Sequence, residues 1–276
     1  MLKLMYITNS PAVAEIADAA GVDRIFVDLE KVGKAERQRG WNSVKSQHST
    51  EDIPKIKAAV RKAQVLVRTD PVFDGLGDEL NEVFAGKPDV VMLPYFKTVK
   101  EVETFVDLVD GRAKTSILVE TKEAAESLDD ILSVGGIDEV HIGLNDLSHS
   151  YRRRFLFEML ADGTVDRLVE TIKKYDIESY GFGGIAAIGK GLLPAEWIIP
   201  EHYRLGSTCA ILSRAFCDTS KITDHSEIEK IFNEGVKDIR VCEKYCSALS
   251  EQEYEDNRRT LAQCVDEIVH SMSSEE

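Results

Sequence analysis

The chain has 276 residues, of which 43% are hydrophobic and 30% are charged, and its formal net charge is −15. This length allows a single large domain with a sizeable core, or two small domains. The strong negative charge argues against nucleic acid and anionic membrane surfaces as main partners. No apolar run reaches the length of a membrane span, so the sequence predicts a protein that does not enter the membrane.

Short β-rich runs alternate with amphipathic segments as far as about residue 218. The predicted strands are 4–8, 24–28, 65–68, 90–94, 116–120, 139–143, 180–183 and 209–213. The predicted helices between them are 12–20, 50–62, 77–84, 99–109, 123–133 and 165–174. This order predicts the α/β class and a (β/α)8 TIM barrel. An open doubly wound sheet is the alternative, but no Gly-x-Gly-x-x-Gly turn follows the first strand.

The pattern changes after the last predicted strand. Two charged amphipathic helices are predicted at 224–249 and 252–272, without further strands. The chain is therefore divided into a TIM-barrel catalytic domain at 1–219 and a C-terminal helical extension at 220–276. The extension is expected to cap the barrel or to pack on a neighbouring subunit. The irregular segment 31–49 is expected to cover the mouth of the barrel.

The five cysteines and the start of the chain bear on the compartment. The cysteines form no zinc-type cluster, and the first residues lack the pattern of a secretory signal. Free thiols fit a reducing environment, so the sequence predicts a cytoplasmic protein.

Two acidic residues follow neighbouring strands of the predicted barrel. Glu120 ends the fifth strand, and Asp146 follows the sixth. Consecutive parallel strands place their carboxyl ends at one edge of a sheet, so both carboxylates are expected side by side. Two hard oxygen ligands with open positions suit a divalent cation, Mg²⁺ first, with Mn²⁺ or Co²⁺ as alternatives.

Other strand ends add charged residues to the same edge. The second strand ends in Asp28 and is followed by Glu30, and the third ends in Arg68. A cation held by two carboxylates has open coordination positions for the carboxylate and keto oxygens of a 2-oxo acid. Arg68 would bind the same oxygens. Cleavage of a carbon–carbon bond beside the ketone would then be assisted by stabilisation of the enolate charge.

Four motifs resemble those of the HpcH/HpaI aldolase and citrate lyase β-subunit family, within the phosphoenolpyruvate/pyruvate-binding barrels. They are Val27-Asp28-Leu29-Glu30, Leu66-Val67-Arg68, Val119-Glu120-Thr121 and Gly143-x-Asn145-Asp146-Leu147. The resemblance implies that Glu120 and Asp146 are the metal ligands and that Arg68 binds substrate. It also implies that the backbone of Gly143, Leu144 and Asn145 faces the substrate carboxylate. Members of this family are usually homo-oligomers whose C-terminal helices pack across subunits.

The sequence departs from this family at Lys31. The aldolase branch has a histidine there, which works with the aspartate at the position of Asp28 to move the proton. Lys31 is interpreted as neutralising a substrate carboxylate, with a role as base as the alternative. His48 is interpreted as a solvated loop histidine, with closure over the mouth and proton transfer as the alternative.

The leading hypothesis is therefore a metal-dependent carbon–carbon lyase acting on a 2-oxo acid or a related acyl substrate. Arg68, Asp28, Glu30 and Lys31 are its predicted catalytic residues. One alternative is a barrel of the same family that binds metal and ligand without cleaving a substrate. Another is a Schiff-base aldolase that uses Lys97, a residue just beyond the fourth strand.

Overall fold

The computed structural model describes residues 1–31 and 48–273. Eight parallel strands form a closed barrel in which each strand pairs with the next along the chain and β8 pairs with β1. The strands are β1 Lys3–Ile7, β2 Arg24–Asp28, β3 Gln64–Arg68, β4 Val90–Leu93, β5 Lys114–Val119, β6 Glu139–Ile142, β7 Ser179–Ile185 and β8 Cys209–Leu212. The predicted TIM barrel with a C-terminal helical region is confirmed.

The described residues form twelve helices, numbered here in chain order. They are α1 Pro11–Ala20, α2 Asp52–Ala59, α3 Leu76–Ala85, α4 Val99–Val109, α5 Lys122–Glu126, α6 Leu128–Leu132, α7 Leu144–Ser150, α8 Glu158–Ala161, α9 Thr164–Ile172, α10 Ala195–Leu205, α11 His225–Cys246 and α12 Glu251–Ser273. The single helix expected at 123–133 is wrong, because Ser127 divides it into α5 and α6. The hydroxyl of Ser127 donates a hydrogen bond to the carbonyl of Glu123 at that point.

Alternate residues of each strand point into the barrel, and they form layers along its axis. At the amino ends of the strands, Arg24 makes two hydrogen bonds to Glu139, of 2.6 and 2.9 Å. The middle of the barrel is an apolar cluster that includes Phe26, Leu66 and Leu118. Because side chains repeat every two residues on one face, the next inward residues lie at the carboxyl ends, where the polar site is found.

The last two helices pack against the barrel of the same chain. Helix α11 contacts α1 and α10, so it takes the place of the eighth outer helix, and α12 contacts α10 and α8. Arg240 of α11 donates hydrogen bonds to the carbonyl of Leu2 and to Asp23, at 2.7 and 2.8 Å. The division of the chain at residue 219 and packing across subunits stay predictions.

Candidate active site

A cavity of about 600 Å³ opens at the carboxyl ends of the barrel strands. It is lined by residues from strands on all sides of the barrel and by the segments that follow them. The predicted site residues that line it are Asp28, Glu30, Arg68, Glu120, Gly143, Leu144, Asn145 and Asp146. The fold therefore brings these residues to one cavity, although they span more than a hundred positions of the sequence.

Arg68 is held in place by carboxylates from the neighbouring strand. Its Nε and Nη2 atoms donate to the two carboxylate oxygens of Asp28 at 2.9 and 2.8 Å, and Nη2 lies 3.4 Å from Glu30 Oε2. Burial alone would lower the pKa of the guanidinium, but Asp28 and Glu30 outweigh it and raise that pKa above its ordinary value. Arg68 is consequently a fixed positive charge at the cavity wall.

Glu120 follows β5 and is almost completely buried, with 4% of its surface exposed. The backbone N–H of Tyr95 donates to Glu120 Oε1 at 3.1 Å, and Tyr95 has a φ of +50°, which is uncommon for a residue with a side chain. A Cβ atom on Gly143 would lie 2.9 Å from both Cβ and Oε2 of Glu120. The absence of a side chain at Gly143 therefore leaves the space that Glu120 occupies.

Asp146 lies in the first turn of α7, which starts directly after Gly143 at the end of β6. The side-chain amide of Asn145 donates to Asp146 Oδ1 at 3.0 Å. Leu144, Asn145 and Asp146 all line the cavity. The short connection between β6 and α7 thus presents three consecutive residues to the same space as Glu120.

The donor set fits a hard divalent cation. Glu120 and Asp146 offer carboxylate oxygens to one cavity. Mg²⁺ in proteins is commonly held by one or two carboxylates and keeps several water molecules. In the part of the chain that the structure describes, no group of three or more His, Cys, Asp or Glu side chains could hold a metal. Water and substrate would therefore have to fill the remaining positions.

Lys31 does not line this cavity. Its side chain is exposed, and its backbone N–H donates to Asp70 Oδ1 at 2.6 Å. Asp70 is in turn held by Glu79, whose Oε1 accepts the Asp70 backbone N–H at 3.0 Å. Burial raises the pKa of the Glu79 carboxyl to about 7. These contacts fix the backbone at Lys31 beside the third strand, outside the cavity wall.

His48 is buried, with 5% of its surface exposed, so its interpretation as a solvated loop histidine is wrong. Its Nδ1 atom accepts a hydrogen bond of 2.8 Å from the backbone N–H of Asp28. His48 is not among the residues that line the cavity, and it supports the strand end that carries Asp28. The rest of the expected cover, residues 32–47, lies outside the described residues.

His141 and Lys97 differ in their relation to the cavity. His141 is an interior histidine, with Nε2 donating to the Gly183 carbonyl at 3.2 Å. Burial lowers its pKa to about 4, so the ring is neutral at physiological pH. Lys97 is exposed, lies 5.4 Å from the centre of the Tyr95 ring and does not line the cavity. This position argues against a Schiff base on Lys97.

Part of the cavity wall was not identified from the sequence. It consists of hydrophobic residues in the segment between α7 and α8 and in the segment that leads from β7 into α10, together with Arg214 after β8. The hydrophobic members are Phe155, Leu156, Phe157, Leu192, Leu193 and Ile198. Strand ends can be found from β-rich runs, but residues further along a connecting segment carry no comparable signal.

Comparison with known proteins gives a family match and several structural matches. The family model described as HpcH/HpaI aldolase/citrate lyase matches residues 3–155, more than half of the chain. This range contains all the predicted site residues. No curated protein sequence matches the chain at a significant level.

Three solved structures illustrate the structural matches. A family protein from Burkholderia cenocepacia J2315 is 13% identical, with a TM-score of 0.60, over 82% of this chain and 94% of that one. An HpcH/HpaI aldolase from Desulfitobacterium hafniense DCB-2 is 15% identical, with a TM-score of 0.59, over 87% and 93%. The citrate synthase SbnG is 18% identical, with a TM-score of 0.58, over 84% and 92%. At these identities the likeness shows the fold.

Proposed function

Because the chain belongs to the HpcH/HpaI aldolase/citrate lyase family, we propose that it is a divalent-metal-dependent carbon–carbon lyase. The proposed substrate is a 2-oxo acid or a related acyl compound. The observation that carries this proposal is that Glu120, Asp146 and Arg68 line one cavity at the carboxyl end of the barrel. In TIM-barrel enzymes the active site lies at this end of the barrel.

Glu120 and Asp146 are the proposed metal ligands, with Mg²⁺ as the first choice and Mn²⁺ or Co²⁺ as alternatives. When bound, the cation would supply Lewis-acid stabilisation of negative charge on substrate oxygens. The remaining contacts come from the protein. Arg68 donates to the carboxylate or keto oxygen, and the backbone of Gly143, Leu144 and Asn145 is proposed to face the carboxylate.

The proposed reaction is a retro-aldol cleavage of a 4-hydroxy-2-oxo acid. A base removes the proton of the 4-hydroxyl group, the C3–C4 bond breaks, and its electron pair moves to C3 and the keto oxygen. An aldehyde leaves, and protonation of C3 yields the shorter 2-oxo acid. Arg68 stabilises the charge on the keto oxygen because Asp28 and Glu30 hold its guanidinium in a fixed position.

The proposed catalytic carboxylates are Asp28 and Glu30, both 4% exposed and both at the cavity wall. Lys31 is proposed to neutralise a substrate carboxylate rather than to act as the base. This role depends on its side chain turning toward the cavity, since it points into solvent here.

A second candidate function is binding without cleavage. The observation that favours it is Lys31, which stands where the aldolase branch has its proton-transferring histidine. Calorimetry separates the two functions: a binding protein would take up pyruvate with Mg²⁺, and none of the 4-hydroxy-2-oxo acids tested would yield pyruvate.

The test of the proposed function is the release of pyruvate from a panel of 4-hydroxy-2-oxo acids with Mg²⁺, compared with EDTA. Glu120→Gln should lower kcat/KM by at least about 100-fold, because a metal ligand is lost. Glu126→Gln is the matched control, since Glu126 is 58% exposed on α5 and lies outside the cavity. Activity that persists in EDTA or in Glu120→Gln would contradict the proposal.

The remaining proposals concern the protein's surroundings. We propose a cytoplasmic homo-oligomer that binds neither nucleic acid nor membranes, on the grounds of its charge and its family. None of the described helices is long and apolar enough to cross a membrane. Light scattering on the purified protein measures the size of the oligomer.

A further inference from the structure

The walls of the cavity differ sharply in polarity. The carboxyl ends of β2, β3, β5 and β6 contribute charged residues, as described above. Another group of lining residues is hydrophobic; it consists of Phe155, Leu156, Phe157, Leu192, Leu193 and Ile198, which we call the apolar wall. Phe155, Phe157 and Leu193 are 5%, 7% and 1% exposed, so most of this wall is firmly packed. A ligand that fills the cavity would touch both the charged residues and the apolar wall.

A further hydrophobic residue, Leu144, lines the cavity close in the sequence to the proposed metal ligand Asp146. Leu144 lies two residues before Asp146 and is 1% exposed. Its Cδ1 atom would be 2.7 Å from a Cβ on Gly183, so Leu144 packs closely against the backbone of β7. Leu192 and Leu193, on the segment that follows β7, line the same cavity. A substrate held by Glu120, Asp146 and Arg68 therefore shares its cavity with these hydrophobic residues.

The negative charge of the described lining residues disfavours binding of a ligand that carries a second anionic group. The described residues that line it include the carboxylates of Asp28, Glu30, Glu120, Asp146 and Asp218, against the guanidinium groups of Arg68 and Arg214. Five negative and two positive groups give a formal charge of −3, which a divalent cation would reduce to −1. The carboxylate of a 2-oxo acid already uses the positive charge that the cation and Arg68 provide.

From these observations we infer that the substrate's far end is uncharged and hydrophobic, such as an alkyl or aromatic group, and that it lies on the apolar wall. The inference rests on the proposed function for the position of the 2-oxo acid group. Leu192 is 70% exposed at the edge of the wall, where a ligand would remove it from water. Burial of one methylene group contributes about 0.8 kcal/mol, so each methylene of the ligand that is buried on the wall should strengthen binding about fourfold.

The test compares ligands that differ only at the far end. Calorimetry with saturating Mg²⁺ measures the Kd of pyruvate, 2-oxohexanoate and 2-oxoadipate. We expect 2-oxohexanoate to bind at least about 10-fold more tightly than pyruvate, since three methylenes are added. We expect 2-oxoadipate, which carries a second carboxylate, to bind at least about 10-fold more weakly than 2-oxohexanoate. Equal or tighter binding of 2-oxoadipate would overturn the inference and would indicate that Arg214 binds an anionic group.

Two substitutions locate the effect. Leu192→Ser should weaken the binding of 2-oxohexanoate more than it weakens the binding of pyruvate. Val241→Ser is the control, because Val241 is 62% exposed on α11 and lies outside the cavity; it should change neither Kd. Equal effects of Leu192→Ser on both ligands would contradict the assigned wall.

The proposed function can fail separately from this inference. If pyruvate does not bind with Mg²⁺, the proposed function is contradicted, and the preference for the far end is measured with hexanoate and adipate, which lack the 2-oxo group. Tighter binding of hexanoate than of adipate would then support the apolar wall. Equal affinities, or no binding of either ligand, would contradict it.

Discussion

Arg68 and Asp28 form a two-point contact that fixes the guanidinium before a substrate arrives. Both residues could be predicted from the sequence because each ends a β-rich run, and parallel strands bring such positions together. The burial of His48 could not be predicted in the same way. Its place beside the Asp28 backbone depends on the path of a long connecting segment, and no period in the sequence describes that path.

His141 supplies a pH-dependent contribution to stability. Burial lowers its pKa to about 4, whereas an exposed histidine has a pKa near 6.5. Below about pH 6.5 the histidine is therefore protonated in the unfolded chain. In the folded protein it stays neutral until the pH falls to about 4. The stability due to the neutral ring is complete above pH 6.5 and is lost as the pH falls from 6.5 to 4. The loss amounts to at most about 3 kcal/mol.

Urea unfolding between pH 4.5 and 8 tests this expectation in His141→Gln and in the parent protein. The parent should lose more stability on acidification than the variant. His225→Gln is a matched control, because His225 is exposed at the start of α11 and should keep the parent's pH dependence. Parallel pH profiles for the parent and His141→Gln would contradict the assignment.

The elements themselves differ in how far the sequence reveals them. Strand β2 and helix α4 have the predicted bounds, since a buried β-rich run and a capping box formed by Thr98 and Glu101 are local signals. Helix α10 was not predicted, because Pro200 lies inside it and proline normally ends a helix. Helix α7, with seven residues, is too short to show a helical period.

The junction between β6 and α7 depends on Gly143. An alanine there would place its Cβ atom 2.9 Å from Glu120, and that carboxylate would have to move. We expect Gly143→Ala to keep the fold and to weaken Mn²⁺ binding at least about 10-fold, because ligand geometry is displaced by a few tenths of an ångström or more. Calorimetry measures the affinity, and circular dichroism checks the fold.

Gly77→Ala is the control for this substitution. A Cβ atom on Gly77, inside α3, would be 3.6 Å from Leu108, an ordinary contact. This variant should bind Mn²⁺ like the parent and should be slightly more stable, since alanine favours a helix over glycine. Unchanged Mn²⁺ affinity in Gly143→Ala would contradict the assignment of Glu120 as a ligand that depends on the space at Gly143.

The contacts that stabilise the protein and the proposed active site lie at opposite ends of the barrel. At the amino ends of the strands, Arg240 and the almost fully buried Glu243 connect α11 to Leu2, the residue before β1. Arg240 also donates a hydrogen bond to Glu243. Glu243 accepts the backbone N–H of Leu2, and Arg240 reaches Asp23. The polar cavity lies at the opposite ends of the strands. This arrangement is general in TIM barrels, where the amino-terminal face serves stability.

Arg240→Ala should therefore destabilise the protein without affecting ligand binding. It removes the positively charged partner of the buried Glu243 carboxylate, which keeps only the hydrogen bonds from Leu2 and Tyr203, and this costs about 3 kcal/mol. Urea unfolding measures the loss, and calorimetry should give an unchanged Kd for pyruvate with Mg²⁺ in the folded variant. A large change in that Kd, with little loss of stability, would contradict this separation of the two ends.

In the proposed site, Glu120 and Asp146 together hold the divalent cation, and a 2-oxo acid binds to it beside Arg68. Electron paramagnetic resonance of Mn²⁺, titrated with and without oxalate, tests this arrangement. We expect one bound Mn²⁺ per chain, which binds at least about 10-fold more tightly with oxalate. This site should be lost in Glu120→Ala and in Asp146→Ala but not in Glu126→Ala. Mn²⁺ bound as tightly by Glu120→Ala or Asp146→Ala as by the parent would contradict this assignment.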